Sequence, residues 1–156
     1  MLLRALGNLP RTWRSEVGMT EVDDWNRSII EEFRANDGKV GGRFEGRTLL
    51  LLHSFGARTG EERVNPLAYS ADGDRLLVFA SKGGAPTNPD WYYNLIANPR
   101  ATVEVATETF PVEATVLQGE ERDRLWQRQV VLIPAFGEYE RRSGRKIPVI
   151  ALHRAD

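Results

Sequence analysis

Four consecutive leucines, Leu49 to Leu52, lie in a run from Arg47 to Ser54 that is much too short to cross a membrane and too continuous to line one helix face. Such a run reads as a strand buried on both faces, so the rest of the chain must supply apolar cover on either side of it. Two more strand-like runs follow, Arg63 to Ser70 and Asp74 to Ala80, flanking Asp72-Gly73. That pair predicts a tight hairpin, because both residues tolerate positive φ. Further on, Ala101 to Ala106 alternates as a strand and Thr109 to Leu117 is its expected antiparallel partner, with Pro111 marking an edge or a bulge. Ile147 to Leu152 closes the chain as a sixth strand.

Helical patterns separate and follow these strands. Trp25, Ile29, Ile30 and Phe33 recur at three- and four-residue steps between Val22 and Ala35, with Gly38 as the stop. Asn88 is placed as an N-cap with Pro89 at the first helical position, giving a helix to about Ala97 that Asn98-Pro99 ends. Glu120 to Val131 carries Leu125, Trp126 and Val130 on one side, and Gly137 to Arg142 is a short further helix. Hairpins interrupted by helices predict an α+β fold, a partly opened antiparallel barrel of about six strands with capping helices.

At 156 residues the chain suits one domain, taken here as residues 21–156 behind a tail or surface segment of residues 1–20. The absence of cysteine excludes thiolate catalysis, zinc ribbons, iron–sulfur clusters and disulfides. With 21 basic and 22 acidic residues the net charge is -1, so no basic field exists to gather nucleic acid. Residues 1–14 are the local exception: Arg4, Arg11 and Arg14 alternate with leucines and Trp13, and no acid precedes Glu16. This segment is either a tail or short helix docked on the core, or a contact with an anionic membrane surface. The expected location is the cytoplasm, with peripheral attachment at the inner membrane face as the second option.

Chemistry concentrates in Phe79 to Asn94, FASKGGAPTNPDWYYN. Two glycines allow close approach of a ligand to the backbone, successive amides can form an anion nest, and Lys82 adds a point charge. The helix start after Asn88 offers further amides. Arg58 and Arg63 flank a second turn, and if both turns lie at one end of the barrel three cations converge on a phosphate or several carboxylates. The competing reading is two ordinary exposed turns neutralised by Glu61 and Glu62. Trp91, Tyr92 and Tyr93 could wall an aromatic ligand, although one of the pairs Trp91/Leu95 and Tyr92/Ile96 is expected only to pack. His53 and His153 fit no metal-ligand spacing and read as structural, and neither a serine-hydrolase elbow nor a dinucleotide fingerprint is present.

The runs GARTGEERVNPL (Gly56 to Leu67) and FASKGGAPTNPDWYYNLIANP (Phe79 to Pro99), with the closing IPVI (Ile147 to Ile150), resemble the deazaflavin-dependent nitroreductase family of actinobacteria. The resemblance implies a split β-barrel related to flavin-binding pyridoxamine-phosphate-oxidase-like proteins. It also implies the reduced deazaflavin coenzyme F420 as hydride donor to a small apolar acceptor: a quinone, an activated enone or a nitroaromatic. Carried over by position, cofactor contacts fall on Ala57, Arg58 and Thr59; on Arg63, Val64, Asn65, Pro66, Leu67 and Ala68; on Phe79, Ala80, Ser81 and Lys82; and on Asp90, Trp91, Tyr92, Tyr93 and Asn94. Phe136 and Tyr139 fall beside the acceptor, Phe136 standing where several relatives have a tyrosine. Ser81, Tyr69, Tyr139 and water are the candidate proton donors. No metal is implied, and the assembly is expected to be a monomer or small homo-oligomer. A carrier or sensor that binds the cofactor without turnover, and a split-barrel enzyme using flavin mononucleotide, are the alternatives.

Overall fold

The computed structural model describes residues 21–42 and 47–155, excepting the side chains of residues 21–24. The expected tail or surface segment, residues 1–20, lies outside the described residues. The chain divides into two compact units between Glu45 and Gly46. In the first, helix α1 (Glu21–Ala35) buries Ile29 and Phe33 and exposes Trp25. Its end follows the expected glycine stop: Gly38 adopts φ +94° and its N–H donates to the Phe33 carbonyl at 2.7 Å.

The second unit is the barrel. Strands β1 (Leu49–Phe55), β2 (Glu62–Asp72), β3 (Arg75–Phe79), β4 (Arg100–Val105), β5 (Glu108–Val116) and β6 (Val149–Arg154) close in the order β1-β2-β3-β6-β5-β4, every neighbour antiparallel. Helix α2 (Asp90–Ala97) interrupts the strands, and α3 (Gly119–Leu132) and α4 (Ala135–Ser143) precede β6. Among the described residues no helix is long and apolar enough to cross a membrane.

The leucine run has two destinations, as a strand covered on both faces requires. Leu50 and Leu52 point into the barrel with Val78, Val103, Val112, Ile150 and Leu152, all essentially inaccessible to water. Leu49 and Leu51 are buried on the opposite face of β1. A second cluster covers the outside of β3 and β6, where Leu77, Phe79, Val149 and Ala151 meet Leu125 and Trp126 of α3 and Phe136 of α4.

Two local expectations need correction. The β2–β3 turn centres on Gly73-Asp74 and not on Asp72-Gly73, since Asp72 pairs with Arg75 in the ladder and only Gly73 has positive φ. The Asp72 carboxylate accepts from Arg75 Nε at 2.9 Å and from Arg128 Nη1 at 3.3 Å. Those hydrogen bonds hold its carboxyl below the usual range and hold the residue within the strand. Asn88 is not the cap of α2: Pro89, with extended ψ of 158°, takes that position and the helix begins at Asp90. The Asn88 side chain instead accepts from Arg145 Nη1.

The barrel is closed, not partly opened as expected, and its prolines sit where the ladder can spare an N–H. Pro66 lies on the first half of β2, which pairs with β1 alone because β3 begins its pairing at Tyr69. Its missing N–H therefore leaves no ladder bond unmade. Pro111 sits one residue beyond the β5–β6 ladder, which starts at Val112, and its carbonyl accepts from Ala155 N at 2.9 Å.

Candidate active site

Strand polarity decides which segments share a barrel mouth. The ends of β1 and β3, the starts of β2, β4 and β6, and the end of β5 all face the same way. The turn carrying Arg58 and Arg63, the turn carrying Lys82, helix α2 and the α4–β6 connection therefore gather at one mouth. A direct bond joins two of them: the Ala57 N–H donates to Asn94 Oδ1 at 2.9 Å, and Asn94 is buried.

Ser81 has helical dihedrals, Lys82 has φ +50°, and a single 3-10 turn runs from Lys82 to Gly84. Right-handed followed by left-handed residues make a concave nest of amides. The Gly84 N–H closes the turn on the Ser81 carbonyl at 3.0 Å, and the Ala85 N–H on the Lys82 carbonyl at 3.1 Å. No described hydrogen bond uses the amides of Lys82 and Gly83. Gly84 is required here twice over: its φ is +90°, and a Cβ would stand 3.2 Å from Arg142 Nη1 and 3.3 Å from the Tyr139 backbone. A Cβ on Gly83 would meet nothing within 4 Å, so the nest is open on that side.

The Lys82 ammonium reaches Thr87 Oγ1 at 3.3 Å and is exposed. Arg58 is exposed too, while Arg63 lies 3.7 Å from Glu61, both more than half exposed. Such a pair is weak and exchanges readily for a better anion. Glu62 turns elsewhere: His53 bridges it and Glu104 across β1, β2 and β4 on the outside of the barrel. Opposite Arg63 in the register stands Ser54, wholly buried with its Oγ lacking a hydrogen-bond partner.

Helix α2 seals the mouth. Trp91 and Leu95 are buried in the inner core, which makes theirs the packing pair. Tyr92 is half-buried against that core, its ring edge-on to Tyr93 at 5.2 Å, and Tyr93 and Ile96 are exposed. Asp90 is exposed at the first turn. Along β2, Arg63, Asn65, Leu67 and Tyr69 follow the inward face set by their partners Ser54, Leu52, Leu50 and Val78, and Val64, Pro66 and Ala68 the outward one. Burial pushes the Tyr69 phenol above its ordinary value of 10.0.

Phe79 and Ala80 end β3 on opposite sides, Ala80 in the inner core and Phe79 in the outer cluster. Phe136 is buried there, its ring 5.5 Å from Phe79, 6.0 Å from Trp126 and 5.3 Å from Tyr139. Tyr139, half-buried under Arg142, is the outward member of that stack. Thr59 accepts the Glu61 N–H at 3.1 Å and so shapes its own turn.

Sequence reasoning missed the two arginines behind the Lys82 turn. Arg142 Nη1 donates to the Gly83 carbonyl at 2.8 Å. Arg145 Nη2 is shared by the carbonyls of Ala80, Ser81 and Thr87 at 3.1, 3.1 and 2.9 Å, and its Nε donates to Ala85 at 3.1 Å. Burial lowers its pKa, though arginine stays charged. The only signal in the sequence was a cationic run, Arg141 to Lys146, ahead of the last strand.

The donor set fits a long polyanion. Two neighbouring amides and an exposed ammonium lie on the turn after β3, two exposed guanidinium groups lie at the β1–β2 turn at the same end of the barrel, and Ser54, opposite Arg63, has a buried hydroxyl without a partner. Comparison with known proteins gives the family. A model of the F420H2-dependent quinone reductase family matches residues 25–154. An F420H2-dependent quinone reductase of Mycobacterium tuberculosis is 41% identical over 128 residues, covering 78% of this chain and 85% of that protein. Among solved structures, the F420H2-dependent reductase FDR-A aligns with a TM-score of 0.62 at 35% identity, over 67% of this chain and 93% of that one. A pyridoxamine 5′-phosphate oxidase-like protein of Listeria innocua shares the fold, with a TM-score of 0.50 at 13% identity over 87% of this chain and 95% of that one. With its six-stranded barrel and a match running almost from end to end of the described residues, the chain belongs to the F420H2-dependent quinone reductase family.

Proposed function

We propose that this chain is a reductase that binds reduced F420 at the mouth described above and passes hydride to a quinone, with enones and nitroaromatics as further acceptors. The observation that carries the reading is the nest at Ser81 to Gly83 with Lys82 beside it, on the same mouth as Arg58 and Arg63. Bound there, F420H2 supplies a hydride equivalent. Lys82, Arg58, Arg63 and the two free amides hold its phosphate and glutamate tail, and the buried Ser54 hydroxyl can complete the set. Tyr92, Tyr93 and the β2 residues Val64 to Ala68 flank the ring system, with Trp91 and Leu95 excluding water beneath it.

Quinone reduction to the hydroquinone consumes one hydride and one proton. Tyr69, whose phenol burial raises, keeps its proton at neutral pH and can donate a hydrogen bond to developing negative charge. Ser81 and Tyr139, nearer solvent, relay a proton from water. Family membership over residues 25–154 supports residues 21–156 as the working unit. We further place the chain in the cytoplasm, as a monomer or small homo-oligomer, with residues 1–14 as a tail or short docked helix and peripheral membrane contact as the second reading.

Purified protein given reduced F420 and a naphthoquinone should regenerate the visible band of the oxidised cofactor at a rate that saturates in both substrates. Oxidation no faster than without protein, for quinone, enone and nitroaromatic alike, would reject the reading in favour of a carrier.

A further inference from the structure

The Lys82 turn does not hold its shape by itself. Lys82 is a non-glycine residue at positive φ, followed by two glycines also at positive φ, a conformation that a free chain rarely keeps. What fixes it comes from the α4–β6 connection. The Arg145 guanidinium takes the carbonyls of Ala80, Ser81, Ala85 and Thr87 and the side-chain oxygen of Asn88, and Arg142 takes the carbonyl of Gly83. In a trans peptide the N–H points opposite to the preceding carbonyl. Drawing the Ser81 carbonyl toward Arg145 therefore aims the Lys82 N–H away from that guanidinium, the Lys82 carbonyl, held by the Ala85 N–H, turns the Gly83 N–H away from Ala85, and the Gly83 carbonyl, taken by Arg142, leaves the Gly84 N–H to close on the Ser81 carbonyl.

We propose that Arg142 and Arg145 are positioning residues that template the anion-binding turn, consuming its carbonyls so that the amides of Lys82 and Gly83 present to the cofactor's phosphate. The inference rests on the F420 reading above. It assigns neither arginine a contact with the cofactor. Their positive charges work from behind the turn, and their hydrogen-bonding geometry matters more than charge, since lysine offers no planar fork to share among these acceptors.

The test is a titration of F420 by its fluorescence, with hydrogen exchange measured on the same samples. Arg145→Lys keeps the charge and should weaken binding by about tenfold or more, because several charge-assisted hydrogen bonds are lost. Arg142→Ala should weaken it by about threefold or more, having one such bond to lose. Lys82→Ala should cost much less in the Arg145→Lys background than in the wild type, as coupling through one loop requires. Exchange over residues 80–88 should accelerate in Arg145→Lys without cofactor, the barrel strands staying protected. Wild-type affinity in Arg145→Lys, or full independence of the two substitutions, overturns the proposal. Should Arg145→Lys not fold, Arg142→Ala decides alone, unchanged affinity counting against the template. A wild-type protein that ignores F420 while residues 80–88 still loosen in the variant refutes the cofactor reading and leaves the template standing.

Discussion

Lys82→Ala lowers the affinity for F420 by about tenfold or more, the loss expected when a charge-assisted contact to an anionic ligand is removed. Arg154→Ala, which removes the same charge at the far end of β6, changes affinity by less than about twofold. The contrast separates a local contact from the general field of a protein whose net charge is only -1. Because Lys82 sits at φ +50°, alanine keeps some of the strain and glycine relieves it. Lys82→Gly should bind F420 as poorly as Lys82→Ala, since the ammonium is gone in both. Recovery in the glycine variant would assign the loss to backbone shape. Raising ionic strength should weaken the wild type and narrow the gap between it and either variant.

Leu52→Ala removes a wholly buried side chain from the barrel interior, where it meets the inner faces of β2 and β4. Truncations of this kind cost about 2–5 kcal/mol, against a total stability of about 5–15 kcal/mol for a domain of ordinary size. Thermal unfolding should therefore fall by about 4–20 °C. Leu132→Ala makes the same chemical change where the side chain is 62% exposed, and unfolding should move by no more than a degree or two. Similar losses at both positions would contradict the placement of Leu50 and Leu52 inside the barrel and of Leu132 at its surface.

Hydrophobic period and turn residues revealed all six strands within about two residues, because each carries either alternation or a short apolar run bounded by a turn. Leu49 to Leu52 is the clearest example: burial on both faces could be read from four leucines alone, and the structure divides them between two opposite faces. Turn details were less legible. Asp72-Gly73 looked like the hairpin tip until the ion pair with Arg75 drew Asp72 into the ladder. Asn88 looked like a cap until Arg145, 57 residues later, took its oxygen. The first misplacement comes from a side-chain pair three residues apart that overrides the turn pattern, the second from a side chain acting over a distance that no local pattern records. The same cause hid the frame of the site, since Lys82 announces itself beside two glycines whereas Arg142 and Arg145 look like solvated charges after a charged helix. Phe136 shows the converse, a residue singled out by likeness to relatives whose ring is packed among Phe79, Trp126 and Tyr139.

The match over residues 25–154 shows the family, and the mouth with its nest and cations is the site we propose for its cofactor. The claim on which everything functional depends is that this mouth grips a long polyanionic tail. Parallel titrations of the purified protein with F420 and with flavin mononucleotide measure it most directly. F420 should bind tighter by about tenfold or more, because its glutamate tail adds carboxylates that flavin mononucleotide lacks for Lys82, Arg58 and Arg63 to meet, and the preference should shrink as salt is raised. Equal affinity for the two, or tighter binding of flavin mononucleotide, would contradict it.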